Sequence, residues 1–139
     1  MATSILYSGG GMHAKLLWSN PSPGSVFSGQ WLTLNEDLNN FDYLLIQFPL
    51  YKGISLDIQT YWTIFRLNPD QYQSGYIRLV FGCSHDEGIY RARRINWNVT
   101  DKNRIYISSA YNNSNSAEES DKVVPYRIYG IKGKIYGVN

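Results

Sequence analysis

The sequence predicts an all-β protein, an antiparallel β-sandwich of jelly-roll-like form with about eight strands. Composition is the first indication, because the 139 residues include five Ala and four Glu but thirteen Ile and twelve Tyr, and Ile and Tyr favour strands over helices. Spacing is the second, since apolar runs of strand length alternate with clusters of Gly, Pro, Asn, Asp and Ser. A chain of this length forms one core, so we expect a single folded domain.

The strand pattern occurs in eight segments between Lys15 and Ile135. Residues 1–14 precede them and contain Gly9-Gly10-Gly11, a composition typical of a flexible lead or hinge. We therefore place the sandwich domain at residues 15–139. The predicted strands are Lys15–Ser19, Gln30–Leu34, Tyr43–Phe48, Leu56–Leu67, Tyr76–Gly82, Ile89–Val99, Arg104–Tyr111 and Val124–Ile135.

Three local patterns support particular strands. Period-two alternation is clearest in Ile95-Asn96-Trp97-Asn98-Val99, which predicts one buried and one polar face. After the turn 100–103 the alternation resumes at Ile105 and Ile107, which predicts an antiparallel hairpin. The run Leu44-Leu45-Ile46 does not alternate and is typical of a strand covered on both faces.

Charge, hydropathy and cysteine content exclude several functional classes. The net charge is +2 and 17% of residues are charged, so we expect no nucleic-acid partner. The apolar runs are far shorter than the roughly 20 residues of a membrane helix, so we expect no membrane insertion. Met1–Leu6 lacks the basic start and apolar stretch of a signal peptide, which favours synthesis in the cytoplasm. The single Cys83 excludes an internal disulfide and a paired-cysteine zinc site.

The order of the strands predicts where the loops lie. If antiparallel strands turn back at each connection, successive loops fall at alternate ends of the sandwich, and an even number of strands brings both termini to one pole. The stretch Tyr111–Asp121 has one alanine and otherwise no aliphatic residue, which predicts a long solvated loop, and such loops commonly carry binding residues. The distal pole, opposite the termini, collects the predicted loops 20–29, 49–55, 83–88 and 112–122.

Carbohydrate recognition is the chemistry that these distal loops favour. A pyranose needs an aromatic face for its apolar side and planar polar groups for its hydroxyls. Turn geometry alone also places Asn and Asp in loops, so only the grouping of such residues at one pole favours a site. The candidate ligand-binding residues are Tyr51, Lys52, His85, Asp86, Glu87, Tyr111, Asn112, Asn113 and Asn115.

Tryptophan is the best platform for a sugar ring, but each tryptophan of this chain lies inside a predicted strand. Trp97 alternates in phase with Ile95 and Val99, and such residues are more often found in a core or a subunit interface. We therefore predict core or interface positions, outside the site, for Trp18, Trp31, Trp62 and Trp97.

Two arginines, Arg91 and Arg93, share one face of a predicted strand. A pair of guanidinium groups binds phosphate well, so these residues are candidates for holding an anionic polymer. The alternative, which we favour, is that they pair with carboxylates across a sheet or a subunit boundary.

Catalysis requires groups that the sequence does not bring together. Asp86-Glu87 and Glu118-Glu119 are adjacent carboxylates, but neighbours on an extended chain point apart, whereas glycoside hydrolysis needs two carboxyls about 5–9.5 Å apart across one bond. The run His85-Asp86-Glu87 has no recognised metal-ligand spacing. We therefore expect no enzyme activity, no cofactor and no metal, and a pair such as Asp86 with Glu118 across two loops is the remaining route to catalysis.

Two parts of the chain resemble a known family. The first is Lys15-Leu16-Leu17-Trp18-Ser19-Asn20-Pro21, followed by Leu32-Thr33-Leu34 and Phe41-Asp42-Tyr43-Leu44-Leu45-Ile46. The second is the ending Val124-Pro125-Tyr126-Arg127-Ile128-Tyr129-Gly130-Ile131-Lys132. Together they resemble the C-terminal receptor-binding tip (head) domains of bacteriophage tail fibres and minor tail proteins, in particular those of phages of Gram-positive hosts and gut bacteria.

The resemblance implies a β-sandwich head, usually a homotrimer, that attaches a virion to its host. The implied partners are host cell-surface polysaccharide and other tail proteins, and the implied location is the virion tail, with the protein made in the host cytoplasm. The leading hypothesis is therefore a non-catalytic tail-fibre tip adhesin that binds host carbohydrate. The alternatives are a structural virion protein that mediates tail or capsid assembly without a host ligand, and a polysaccharide depolymerase.

Overall fold

The computed structural model describes residues 13–49, 60–67, 76–86, 89–98 and 100–133. Within them the chain forms nine strands and one short 3-10 helix, Leu38–Asn40. The strands are β1 (His13–Ser19), β2 (Gln30–Thr33), β3 (Tyr43–Pro49), β4 (Thr60–Arg66), β5 (Tyr76–Asp86), β6 (Ile89–Asn98), β7 (Arg104–Ile107), β8 (Tyr111–Asn112) and β9 (Arg127–Lys132).

The strands form two sheets. One has four strands in the order β1-β9-β3-β4, and the other has five, in the order β2-β7-β6-β5 with the short β8 paired to β6. Every described pair of strands is antiparallel. The predicted all-β fold, an antiparallel sandwich, is therefore confirmed.

The core lies between the inner faces of the two sheets. Leu17 and Ile46 enter it from the four-stranded sheet, and Ile95, Ile105 and Ile107 enter it from the five-stranded sheet, all fully buried. The strands β6 and β7 pair with Ile95 opposite Ile107, so the hairpin predicted around residues 100–103 is confirmed. Burial of this apolar row fixes which face of β6 points outward, because successive side chains alternate.

Strand β3 is buried on both faces, as its unbroken apolar run predicts. Leu44 and Ile46 join the core between the sheets, whereas Leu45 packs on the other face of the strand with Tyr43 and Tyr129. All seven residues of the strand are buried.

Several strand boundaries differ from the predictions. Strand β5 continues to Asp86, so the prediction of a loop at residues 83–86 is wrong, and β9 begins at Arg127 rather than at Val124. The predicted strand Arg104–Tyr111 divides into β7 and β8 at Ser108, whose N–H still donates to the Arg94 carbonyl at 2.9 Å but whose hydroxyl Oγ, in place of its carbonyl, accepts from the Arg94 N–H at 2.8 Å. A side chain thus replaces a backbone partner. Strand β1 begins at His13, which lies inside the stretch predicted as a flexible lead; residues 1–12 lie outside the described residues.

Strand pairing brings the two ends of the described chain to one pole. His13 of β1 pairs with Lys132 of β9, so the first and last described strands begin and end side by side. The connections 20–29 and 108–126 lie at the distal pole, as predicted. Of the other predicted distal loops, residues 50–55 and 87–88 lie outside the described residues.

The stretch Tyr111–Asp121, which lies in the connection 108–126, is only partly the solvated loop that the sequence predicts. Its tip, residues 113–118, is exposed. Its base is not free, because Tyr111–Asn112 forms β8 against β6 and both Asn112 and Ser120 are buried. The prediction of a loop solvated over its whole length is therefore wrong: the polar groups at its base are paired within the protein.

One buried side chain, Arg93 of β6, ties the distal connections to the sheet. It is 0% exposed, and each of its N–H donors reaches a backbone carbonyl. Burial lowers the pKa of Arg93 to about 10, with Glu118 and Asp121 acting in the opposite direction, so the group is charged at neutral pH. The acceptors are the carbonyls of Val123 (2.7 Å), Phe27 (2.7 Å), Ser108 (2.9 Å), Ser120 (2.9 Å) and Lys122 (2.9 Å).

We expect Arg93→Lys to destabilise the protein strongly. Lysine keeps the charge but has fewer N–H donors, so some of the buried carbonyls lose their partner. If about two are left unsatisfied at roughly 1–3 kcal/mol each, the free energy of unfolding falls by about 2–6 kcal/mol. Urea denaturation followed by tryptophan fluorescence measures this loss.

The matched control is Arg94→Lys, at the neighbouring exposed position, which should change the free energy of unfolding by less than about 0.5 kcal/mol. An equally small effect of Arg93→Lys would mean that the carbonyl contacts of Arg93 do not hold the distal pole.

Candidate ligand-binding face

The outer face of the five-stranded sheet is defined by the alternation along β6. Arg91 and Arg93 are buried on the inner side, whereas Tyr90 and Arg94 are exposed on the other. The outward row of β6 therefore consists of Tyr90, Ala92, Arg94 and Asn96.

Two tyrosines, called the tyrosine pair below, stand at the distal end of this outer face. Tyr111 of β8 pairs with Ala92 of β6, so it is a diagonal neighbour of Tyr90 with Cβ atoms about 7 Å apart. Tyr111 is 44% exposed and Tyr90 is 40% exposed. On the other side of Ala92, the register partner is Gly82 of β5. Small residues thus lie beside the two rings, which favours contact with a flat ligand.

A carboxylate at the base of the loop fixes the backbone that presents Tyr111. Glu119 accepts a hydrogen bond from Asn112 Nδ2 at 2.6 Å and one from Arg91 Nε at 3.1 Å, and Arg91 Nη2 lies 3.0 Å from the same carboxylate. The hydrogen bond from Asn112, with further help from Arg91, holds the pKa of Glu119 below its usual value. The predicted pairing of Arg91 with a carboxylate is confirmed, whereas Arg93 bonds to carbonyls instead.

Asn113 connects the loop tip to the other member of the tyrosine pair. Its Oδ1 accepts a hydrogen bond from the Tyr90 N–H at 2.7 Å, and its own N–H donates to the Tyr90 carbonyl at 2.9 Å. The main chain at Tyr90 is therefore held from both sides. Groups ordered in advance lose less conformational entropy when a ligand binds.

The predicted site residues of the segment 108–126 separate into exposed and structural positions. Tyr111, Asn113 and Asn115 are exposed, as a ligand-binding role requires. Asn112 is buried and its amide is used by Glu119, so it positions its neighbours rather than facing a ligand. Asn115 Oδ1 accepts a hydrogen bond from the Ala117 N–H at 2.9 Å, which shapes the turn.

The remaining predicted site residues belong to other connections. His85 and Asp86 lie at the end of β5, where Ser84 is the register partner of Tyr90. Backbone pairing thus places this end of β5 beside the tyrosine pair, as the prediction of a common pole requires. Tyr51, Lys52 and Glu87 lie outside the described residues.

A second aromatic group on the same face, called the tryptophan site below, consists of Trp31, Arg104 and Tyr106. Trp31 of β2 pairs with Tyr106 of β7, and Tyr106 pairs with Asn96 of the outward row. The ring centroids of Trp31 and Tyr106 are 5.5 Å apart, and the Arg104 guanidinium carbon lies 5.1 Å from the Trp31 ring centroid. Trp31 is 50% exposed.

The tryptophan site is a candidate binding feature that the sequence patterns above do not predict. The prediction that Trp31 is a core residue is wrong, and an interface position for it stays a prediction. The signal that could have found it is local: Leu32 and Leu34 are buried, and a strand that turns these leucines inward turns Trp31 outward. Gly29, just before β2, helps to accommodate the Tyr106 ring of this site, because a Cβ at position 29 would collide with the Tyr106 hydroxyl.

The other tryptophans are arranged differently. Trp18 is half-buried with its ring edge-on to Phe27 at 6.0 Å, as the prediction of a core position requires. Trp62 is 41% exposed on the four-stranded sheet, where its ring lies 6.2 Å from that of Tyr129. Trp97 lies in β6 as the register partner of Ile105. Trp62 is thus an exposed tryptophan away from the outer face and provides a matched control.

A cleft of about 530 Å³ opens at the pole where the described chain begins and ends. Its central carboxylate is already paired: Lys15 Nζ lies 2.8 Å from Glu36 Oε2, and Asn40 Nδ2 donates to Glu36 Oε1 at 3.2 Å. The hydrogen bond from Lys15 is the main reason that the pKa of Glu36 lies below its usual value. Phe41, the aromatic lining residue, is buried, so the cleft suits a sugar ring less well than the outer face does.

Comparison with models of known protein families and with curated proteins gives no match for this chain. In the described part of the chain, no group of three His, Cys, Asp or Glu side chains could hold a metal ion. The described residues also include no helix long and apolar enough to cross a bilayer. The chemistry of the outer face is therefore the guide to function.

We expect acid to weaken the distal pole through Glu119. The pKa of Glu119 is lower in the folded protein than the ordinary value of 4.5, so its ionised form stabilises the fold above about pH 4.5. This contribution is lost as the pH falls through the lowered value. Glu119→Gln should therefore flatten the acid side of the stability profile, measured by urea denaturation at a series of pH values.

Asp101→Asn is the control, because Asp101 is exposed in the turn at the opposite pole. It should leave the acid slope as in the unmodified protein. An unchanged slope in Glu119→Gln would show that protonation of Glu119 does not contribute to acid sensitivity.

Proposed function

We propose that this protein is a non-catalytic adhesion module that binds carbohydrate through the outer face of its five-stranded sheet. In the biological setting that the sequence resemblance suggests, the module is the tip of a phage tail fibre and its ligand is host cell-surface polysaccharide. The observation that carries the proposal is the tyrosine pair, in which Tyr90 and Tyr111 are both exposed and both held by hydrogen bonds of their neighbours.

The tyrosine pair suits a sugar in three respects. Aromatic rings stack on the apolar side of a pyranose, and phenolic hydroxyls bond to its oxygens. Asn113 adds an exposed amide beside Tyr90. The small neighbour Ala92 and its register partner Gly82 leave room beside the rings.

The arrangement of the strands suits an adhesin. The described chain begins and ends at one pole, where His13 pairs with Lys132, while the tyrosine pair lies toward the other. A module attached to a larger particle at its terminal pole would present the tyrosine pair outward. Several copies on one particle would raise a weak single-site affinity, because later binding events are effectively intramolecular.

Glu119 supports a binding role over hydrolysis. A general acid in a glycosidase needs a raised pKa, whereas the hydrogen bonds from Asn112 and Arg91 lower the pKa of Glu119. This carboxylate, which lies under the tyrosine pair, is thus suited to holding the loop.

Assembly within a virion is the second candidate, and one observation favours it. The four-stranded sheet ends at β4, which carries Tyr61, Trp62 and Ile64, all more than 40% exposed. Large exposed apolar residues on an edge strand are typical of contacts with another protein chain.

A printed array of bacterial surface polysaccharides tests the proposal. We expect the unmodified protein to bind at least one polysaccharide, and Tyr90→Ala and Tyr111→Ala each to weaken that binding about tenfold, the loss of roughly 1.4 kcal/mol of stacking. Trp62→Ala, the matched control, should leave binding unchanged.

The alternatives give different results. Loss of binding in Trp62→Ala with normal binding in both tyrosine variants would place the contact on the four-stranded sheet and contradict the proposal. Release of reducing sugar from a bound polysaccharide would identify a depolymerase. An absence of binding to every polysaccharide, together with oligomerisation that Trp62→Ala abolishes, would favour assembly.

A further inference from the structure

Aromatic rings and guanidinium groups alternate along the outer face. Following β6 from the distal end, Tyr111 is level with Ala92, and the next outward residue is Arg94. Tyr106 and Trp31 are level with Asn96. One further step along the face brings the pair of Arg104 and Thr33. From the distal end, the order along the face is therefore the tyrosine pair, Arg94, the two rings of the tryptophan site and finally Arg104.

The spacing of these groups sets the size of the ligand. The tyrosine pair and the tryptophan site are separated by the four residue steps between Ala92 and Asn96, or about 13 Å along the strand. A single sugar ring cannot contact both aromatic groups at that distance. A chain of several sugar units can, if it lies along the strand direction.

The charge of the face sets the chemistry of the ligand. Arg94 and Arg104 are exposed, and neither takes part in an ion pair among the described residues. Of the side chains that the structure describes on this face, one carboxylate, Glu118, lies beside the row as the bridge partner of Tyr111, so arginines outnumber carboxylates among them. A guanidinium that stacks on a ring, as Arg104 does on Trp31, keeps its in-plane donors for a carboxylate or a phosphate.

We infer that the ligand is an extended acidic polysaccharide that lies along the outer face from Tyr111 to Trp31, with its carboxylate or phosphate groups on Arg94 and Arg104. This inference rests on the proposed function, that the outer face binds carbohydrate. It adds the length of the bound segment, the tryptophan site as a second point of contact, and the negative charge of the polymer.

A single-stranded nucleic acid is the other polymer that stacks on aromatic residues and pairs with arginine. The observations favour a glycan. Among the described side chains, the outward positions of β2, β6, β7 and β8 include two arginines and no lysine, and the chain as a whole has a net charge of only +2. Nucleic-acid surfaces usually carry a denser basic patch.

Calorimetric titration with defined probes tests the inference. The probes are oligogalacturonates of graded length for carboxylate, phosphomannan oligosaccharides for phosphate, dextran oligomers as the neutral control, and a thymidine oligonucleotide. We expect the acidic glycans to bind more tightly than dextran, with affinity falling as salt rises. The better of the two acidic probes identifies the source of the charge.

Substitutions then assign the contacts. Arg94→Gln and Arg104→Gln should each lower the affinity for the better acidic probe about tenfold and leave any dextran binding unchanged. Trp31→Ala should weaken binding of long oligomers and not of short ones, because short oligomers reach only the tyrosine pair. Arg66→Gln and Trp62→Ala, at exposed positions of the four-stranded sheet, are the matched controls and should bind as the unmodified protein does.

The possible failures are distinct. Equal affinity for dextran and for the acidic glycans, or normal binding in both arginine variants, overturns the inference while the proposed function stands. The same holds if Trp31→Ala affects short and long oligomers alike. Tighter binding of the thymidine oligonucleotide than of any glycan overturns the inference in favour of nucleic acid. A protein that binds no glycan, on the array or in solution, overturns the proposed function itself.

Discussion

The distal half of this sandwich depends on a charged side chain sealed beneath the five-stranded sheet. Removing a guanidinium from water costs free energy, and the lowered pKa of Arg93 reflects that cost. The cost is offset because backbone carbonyls surround the group and use all of its donors. One of these carbonyls belongs to Val123, whose φ of 50° is unfavourable for a β-branched residue. The guanidinium thus binds carbonyls from three separate segments of the chain, at residue 27, at residue 108 and at residues 120–123. The last of these segments contains the strained Val123.

The outer face follows from this anchoring because one strand serves both sides of the sheet. In β6, the buried Arg91 and Arg93 hold the distal connections on the inner side of the sheet. The alternate residues Tyr90 and Arg94 are exposed on its outer face. The same relation holds in β8, where Asn112 is buried beside the exposed Tyr111. Outward-facing side chains therefore alternate with side chains that hold the scaffold. Such a surface is ordered before anything binds, which reduces the entropy lost on association.

Much of the fold could be predicted from local pattern, and less of the site could. Alternation around Ile95 and the apolar run at Leu44 correctly indicate a half-buried strand and a strand buried on both faces, because these signals lie within a few neighbouring residues. The role of Arg93 has no such signal, since its partners are carbonyls, which every residue possesses. Asn112 is of the same residue type as its exposed neighbour Asn113, but it is buried and donates a hydrogen bond to Glu119, several residues away. A core position for Trp31 is wrong because residue type alone does not show that a strand which turns Leu32 inward turns Trp31 outward.

Anchoring through carbonyls has an evolutionary consequence. A carbonyl group is present whatever the side chain, so the contacts of Arg93 with Ser120 and Lys122 do not require serine or lysine at those positions. The loop tip at residues 114–117 is exposed and lies outside these contacts, so its side chains can change without disturbing the carbonyl contacts of Arg93. Sequence variation at the tip is therefore compatible with one unchanging scaffold.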